Sequence, residues 1–204
     1  MKRSAAQFLI PVVLLANISS AARAEPANSV NLGLGGIIHT MPHCYAKVYT
    51  AEYEHLVTPT VALLGRASEV HYRFDNGQYF ETGKPRGLEL GARYYPAGEM
   101  RGFYVGGTLG YWKADWSFIQ YQGKPYQFSG QAQSNSGRLN FDIGDRIRIG
   151  GTNISIMPEV TFGKFFSTSS CNYTAPASRI GTGCSQQSEV NYYLFVGVLA
   201  GLAF

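Results

Sequence analysis

The 204-residue chain contains no apolar run approaching the roughly 20 residues that a membrane-spanning helix requires, so any membrane crossing would have to be made by strands. It also lacks helical periodicity of useful length, and only 15% of its residues are charged. Three cysteines and four histidines are present, but their spacing suggests no metal site. No phosphate-binding glycine loop is credible either, because the glycine-rich segments, including Gly106 and Gly107, fall inside strand patterns where glycine relieves crowding. A basic surface for nucleic acid is missing as well. Lys2, Arg3 and Arg23 precede Ala24, and without these three the 17 basic residues become 14 against 13 acidic ones.

The first 24 residues read as a secretory signal. Lys2 and Arg3 precede the short apolar run from Phe8 to Ala16, and Ala22, Arg23 and Ala24 form a small-x-small cleavage site. No cysteine stands at that site, so a lipoprotein is not indicated. Residues 25–204 then form one domain in an oxidising compartment. Cys171 and Cys184 lie in a stretch rich in Ser, Thr, Gly and Asn and are expected to form a local disulfide. Cys44 is left as a buried spectator, a partner for another chain, or the true partner of one of the other two.

What the chain does have is alternation. Val190, Tyr192, Leu194, Val196, Val198, Ala200, Leu202 and Phe204 share one parity, which places eight apolar side chains on one face of a single strand. Similar segments at 29–40, 44–57, 60–74, 87–96, 102–116, 137–149 and 153–166 bring the expected count to eight. Three connections are short (58–59, 97–101 and 150–152); of the other four, three are long (75–86, 117–136 and 167–188) and only 41–43 is brief. Such a layout predicts an all-β, antiparallel, up-and-down transmembrane barrel with short periplasmic turns and longer external loops.

In the segments 87–96, 137–149 and 153–166 charge collects on the face opposite the apolar stripe, and that face is expected to line the lumen, although the corresponding face of the last strand carries no charge. The predicted interior network comprises Glu52, Glu54, Glu89, Asp142 and Glu159 with Arg93, Arg138, Arg146 and Arg148. It reads as a salt-bridged plug or as a gated narrow ion path, and not as a wide pore, because eight strands enclose little more than their own side chains. Three places resist the scheme. Asp145 falls on the apolar parity and suggests a bulge near Gly144 or an earlier turn; Arg66 and Glu69 sit on opposite parities, so one of them should lie near a strand end or past a bulge; and Pro158 removes a ladder donor from a lipid-facing position. Aromatic groups such as Tyr94 and Tyr95, Tyr111 and Trp112, Phe165 and Phe166, and Tyr192 and Tyr193 fall near strand ends, as expected of interfacial girdles.

The segment from Gly87 to Trp112, GLELGARYYPAGEMRGFYVGGTLGYW, and the terminal LFVGVLAGLAF resemble the small bacterial outer-membrane β-barrel superfamily of outer-membrane-protein-A-like and opacity-type barrels. The Gly87–Trp112 segment is similar to the family's strand, tight turn and glycine-rich aromatic strand. The terminal segment is similar to the signal read by the barrel-assembly machinery, with Leu202 and Phe204 at its final hydrophobic positions and Leu199 where glycine is usual. The resemblance implies an outer-membrane location, contact with lipopolysaccharide and phospholipid, and no cofactor. The expected function is non-enzymatic, structural or surface-interacting, through external loops 117–136 and 167–188, with the suspected Cys171–Cys184 clip, Lys113 and Asp115 shaping those surfaces. The alternatives are a lipid A-modifying barrel enzyme or a narrow channel. Among His39, His43, His55 and His71, the last has Ser68 nearby, but the His-x-Ser arrangement of the deacylases is absent.

Overall fold

The described strands bury polar and charged side chains and expose hydrocarbon, the reverse of a water-soluble sheet; the buried charge comes from the strands between the first and the last. The structure, a computed structural model, describes residues 26–38, 43–125, 127–168 and 192–204. The predicted signal segment, His39, Cys171 and Cys184 lie outside them. The described chain contains β1 (Asn28–Ile38), β2 (Cys44–Thr58), β3 (Val61–Asp75), β4 (Tyr79–Gly83), β5 (Arg86–Tyr94), β6 (Gly102–Gln120), β7 (Phe128–Arg148), β8 (Ile154–Thr168) and β9 (Tyr192–Ala203). All pairings are antiparallel.

β4 and β5 both lie between β3 and β6, so the nine strands occupy eight positions around a ring. Pro85, which has no amide proton to give a ladder, sits at the break between them. The ring closes where β9 meets β1, with Ser29 opposite Ala203. At that seam the Asn28 amide donates to the Phe204 carbonyl at 3.0 Å and the Phe204 amide donates back at 2.8 Å. Closure removes the free sheet edges that a bilayer does not tolerate.

The strict alternation decides which groups meet lipid. Leu88, Leu90, Leu109 and Leu202 are 70%, 74%, 65% and 55% exposed, whereas Glu54, Asp142 and Arg93 are 0%, 0% and 1% exposed. The aromatic doublets are divided by the same pleat. Tyr94, Tyr111, Phe166 and Tyr192 point outward, as a girdle residue should, but Tyr95, Trp112, Phe165 and Tyr193 turn into the barrel and join its interior clusters. Consecutive residues cannot share a face, so only half of each doublet is interfacial.

Two expected loops are mostly strand. Within 75–86, β3 turns at Asn76 and Gly77 into β4, with Asp75 opposite Phe80. Within 117–136, β6 and β7 stay paired as far as Gln120 opposite Phe128. These hairpins rise beyond the apolar belt, where the outward face is mostly polar, the Phe80–Ile119 pair apart, and the apolar alternation that marks a spanning strand disappears. Inward aromatic side chains replace it: the rings of Phe74 and Tyr79 lie 6.0 Å apart, those of Tyr79 and Phe118 6.2 Å, and those of Phe118 and Phe128 6.2 Å.

The irregular positions resolve simply. Gly144 pairs with Glu159 and Ile147 with Ile156 in one unbroken register, so there is no bulge near Gly144. The ladder merely lapses beside Pro158, and Asp145 points outward close to the short-turn end of β7. Arg66 is buried in the lumen while Glu69 faces out near the opposite rim.

Candidate functional site

The lumen is filled by side chains from β1, β2, β3, β5, β6, β7, β8 and β9. Its floor, nearest the short turns, is built around Glu54. Arg93 donates to one carboxylate oxygen of Glu54, and Arg146 Nη2 reaches the other at 2.6 Å. The Tyr95 hydroxyl lies 3.2 Å from both oxygens, and Arg146 also donates to Asn31 Oδ1 at 3.2 Å. Met100, Met157 and Leu199 seal this layer with apolar atoms.

The middle layer centres on Arg66. Its Nε donates to Glu52 at 3.1 Å, and its Nη2 lies 3.1 Å from Asp142 Oδ2 and 2.8 Å from Glu159 Oε1. Arg93 joins the layers, contacting Glu52 at 2.9 Å and also Glu159. Hydroxyl donors complete the carboxylates: Tyr104 to Glu159 at 2.9 Å and Thr161 to Asp142 at 2.7 Å. Buried charges persist only when paired and hydrogen-bonded in this way. Inward glycines make the room. A Cβ on Gly144 would come within 2.4 Å of the Tyr104 ring.

In the upper layer, Glu89 accepts from Trp112 Nε1 at 2.8 Å and Thr108 Oγ1 at 3.1 Å. Arg138 takes a different course. Its guanidinium carbon lies 3.4 Å from the centroid of Trp112, 4.1 Å from Phe165 and 4.9 Å from Tyr193, so aromatic faces take the place of a contacting carboxylate. Beside it is a cavity of about 30 Å³ lined by Arg66, Glu89, Trp112, Arg138, Asn140 and Tyr193. A water needs roughly 10–15 Å³, so the space has room for two or three waters.

Of the residues expected in the lumen, Glu52, Glu54, Arg93, Asp142, Arg146 and Glu159 are brought into one ion-paired group. Glu89 touches that group through Arg66 at 3.7 Å. Arg138 stands in its aromatic cage, and half-buried Arg148 lies against the 95–101 turn, where its Nη2 donates to the Glu99 carbonyl. Arg66 was the missing hub. Leu63 and Leu64 put apolar residues on both faces of β3, which hides its parity in the sequence; pairing opposite Glu52 is what identifies it. The tyrosine, threonine and asparagine partners have no comparable sequence signal.

The described histidines do not converge. His55 points outward and shares Asn28 Oδ1 with Tyr53, at 2.9 and 2.7 Å. His71 faces outward beside Glu69, whereas the Ser68 hydroxyl is 3.1 Å from Thr50 on the inner face. His43 adopts a left-handed φ of 69° just before β2. Cys44 is half-buried opposite Phe74. Leu202 and Phe204 project outward at the closing seam.

No family model matches the chain, and no curated protein matches its sequence. Among solved structures, a major outer-membrane protein from Thermus thermophilus superposes with a TM-score of 0.55 at 13% identity, over 87% of this chain and 100% of the other. The translocator domain of the autotransporter NalP from Neisseria meningitidis gives 0.50 at 10% identity, over 87% and 88%. With its closed ring, apolar outer belt and charged lumen, the chain has the fold of an eight-stranded transmembrane β-barrel of the outer-membrane type.

Proposed function

We propose that this barrel is a non-enzymatic outer-membrane protein whose lumen is a structural plug and whose external hairpins carry its interactions. One observation carries the reading: guanidinium–carboxylate bonds join opposite walls. Arg146 on β7 meets Glu54 on β2, and Arg66 on β3 meets Glu159 on β8, each pair lying four positions apart in a ring of eight. Ion pairs that span the diameter occupy the path an ion would take.

The non-enzymatic part is supported by the separation, among the described residues, of the serine and histidine that lie near each other in the sequence. Ser68 and His71 occupy opposite faces of one strand, out of the hydrogen-bond reach that an activated nucleophile requires. Partner contact falls to the hairpins β3–β4 and β6–β7, which stand above the belt with aromatic rings packed on their inner faces. Leu202 and Phe204 are the residues through which the barrel-assembly machinery would recognise the closing strand.

Proteoliposomes loaded with potassium chloride test the plug: release should match empty vesicles. Lipid A incubated with the protein should keep its acyl pattern on thin-layer chromatography. Ion release above background, or loss or gain of an acyl chain, would refute the corresponding half of the proposal.

A further inference from the structure

On the outer surface the apolar belt ends abruptly along one wall. In β5, Leu90 and Leu88 face lipid, and the next outward residue is Arg86. Its ladder neighbours are Glu69 on β3 and Lys113 on β6, both outward, and one step higher Lys47 on β2 pairs with His71 on β3. Three strand spacings separate Lys47 from Lys113, about 15 Å. Arg86 Nε binds Glu69 at 2.6 Å, and His71 contacts the other oxygen of the same carboxylate. Glu69 thereby braces Arg86 and His71, while Lys47 and Lys113 have no ion-pair partner among the described residues. Asp115 is the other outward acid nearby, two residues above Lys113. The opposite wall differs: its outward Lys164 is covered by the rings of Phe166 and Tyr192, at 5.5 and 5.2 Å.

We propose that Lys47, His71, Arg86 and Lys113 form a binding site for the phosphate groups of a phosphorylated lipid in the outer leaflet, its acyl chains lying on Leu88, Leu90, Leu109 and Tyr111. Cations immediately above exposed hydrocarbon match an amphiphile whose anionic head sits at the interface and whose tails run down the barrel wall. A free phosphate would gain only the first half of that surface. The site extends the proposed surface role without depending on it, since neither the plug nor the hairpins take part.

The test uses the full barrel in phosphatidylcholine nanodiscs containing either bis-phosphorylated lipid A or the same lipid with both phosphates removed, with retained lipid counted by native mass spectrometry. At least a tenfold preference for the phosphorylated form is expected, falling as salt rises because the groups are exposed. The K47Q/R86Q/K113Q variant should bring the preference within twofold of unity, and K164Q should leave it intact. Heat-modifiable migration verifies that the variants are folded; should the triple variant not fold, R86Q and K113Q singly must each lower the preference. Equal retention of the two lipids, a preference surviving in the folded triple variant, or equal loss in K164Q would overturn the proposal.

Discussion

Arg146 Nη2 lies 2.6 Å from Glu54 Oε2 although the two residues stand on opposite walls and are 92 positions apart in the chain. Contacts of this kind tie the stability of the barrel to its electrostatics. A single ion pair here is one link in a network in which each carboxylate answers to more than one donor.

Replacing Arg66 with Met should therefore be costly. The change strands Glu52, Asp142 and Glu159 without one of their shared partners, all three carboxylates being buried. Removing one member of a buried pair costs about 3–5 kcal/mol. The measurement is the urea midpoint for unfolding from lipid vesicles, which should fall; an unchanged midpoint would mean that Arg66 contributes nothing net.

Gly87→Ala probes the packing. A Cβ at that position would sit 2.2 Å from the Trp112 ring, so the indole must shift and lose its 2.8 Å bond to Glu89. Overpacking of this kind costs about 1–3 kcal/mol. Tryptophan fluorescence should change along with the unfolding midpoint.

Leu90→Arg and Tyr45→Arg separate belt from rim. Leu90 is central in β5 and 74% exposed to the belt, whereas Tyr45 is equally exposed but lies at the outer end of β2. Arginine at the midplane costs about 2–4 kcal/mol and near the interface about 0–1. Equal costs for the two variants would place the belt elsewhere.

The β3–β4 turn supplies a pH signature outside the membrane. Arg73 donates to the Asp75 carboxylate at 3.0 Å and the Gly77 amide donates to it at 3.1 Å, and both bonds hold its pKa below the ordinary aspartate range. Because the folded value is depressed, the bonds contribute fully above about pH 3.9 and are lost as pH falls through the folded value. The Gly77 amide resonance should titrate with a midpoint below that of a free aspartate. A midpoint at or above it contradicts the geometry.

Much of the barrel was legible because a period of two is a local property. In β9, Tyr192 to Phe204 alternate without exception, and the inward positions of Glu54 and Arg93 follow from the same rule. Arg66 was not legible, since Leu63 and Leu64 make both faces of β3 apolar and only pairing with β2 fixes the parity. The external hairpins escaped for a related reason. Above the belt no hydrocarbon selects the outward residues, so segments such as Ser129, Gln131 and Gln133 read as loop although β6 pairs with them throughout. Which acid meets which base across the lumen depends on barrel shear and diameter, which no single strand encodes.

Planar-bilayer recording of the folded protein reads out whether the ring of eight strands is closed inside by the ion pairs that span its diameter. A lumen bridged in this way should give no resolved current steps at moderate voltage in molar potassium chloride, with inserted protein verified by heat-modifiable migration. Stable, discrete openings of the unmodified barrel would contradict that closure.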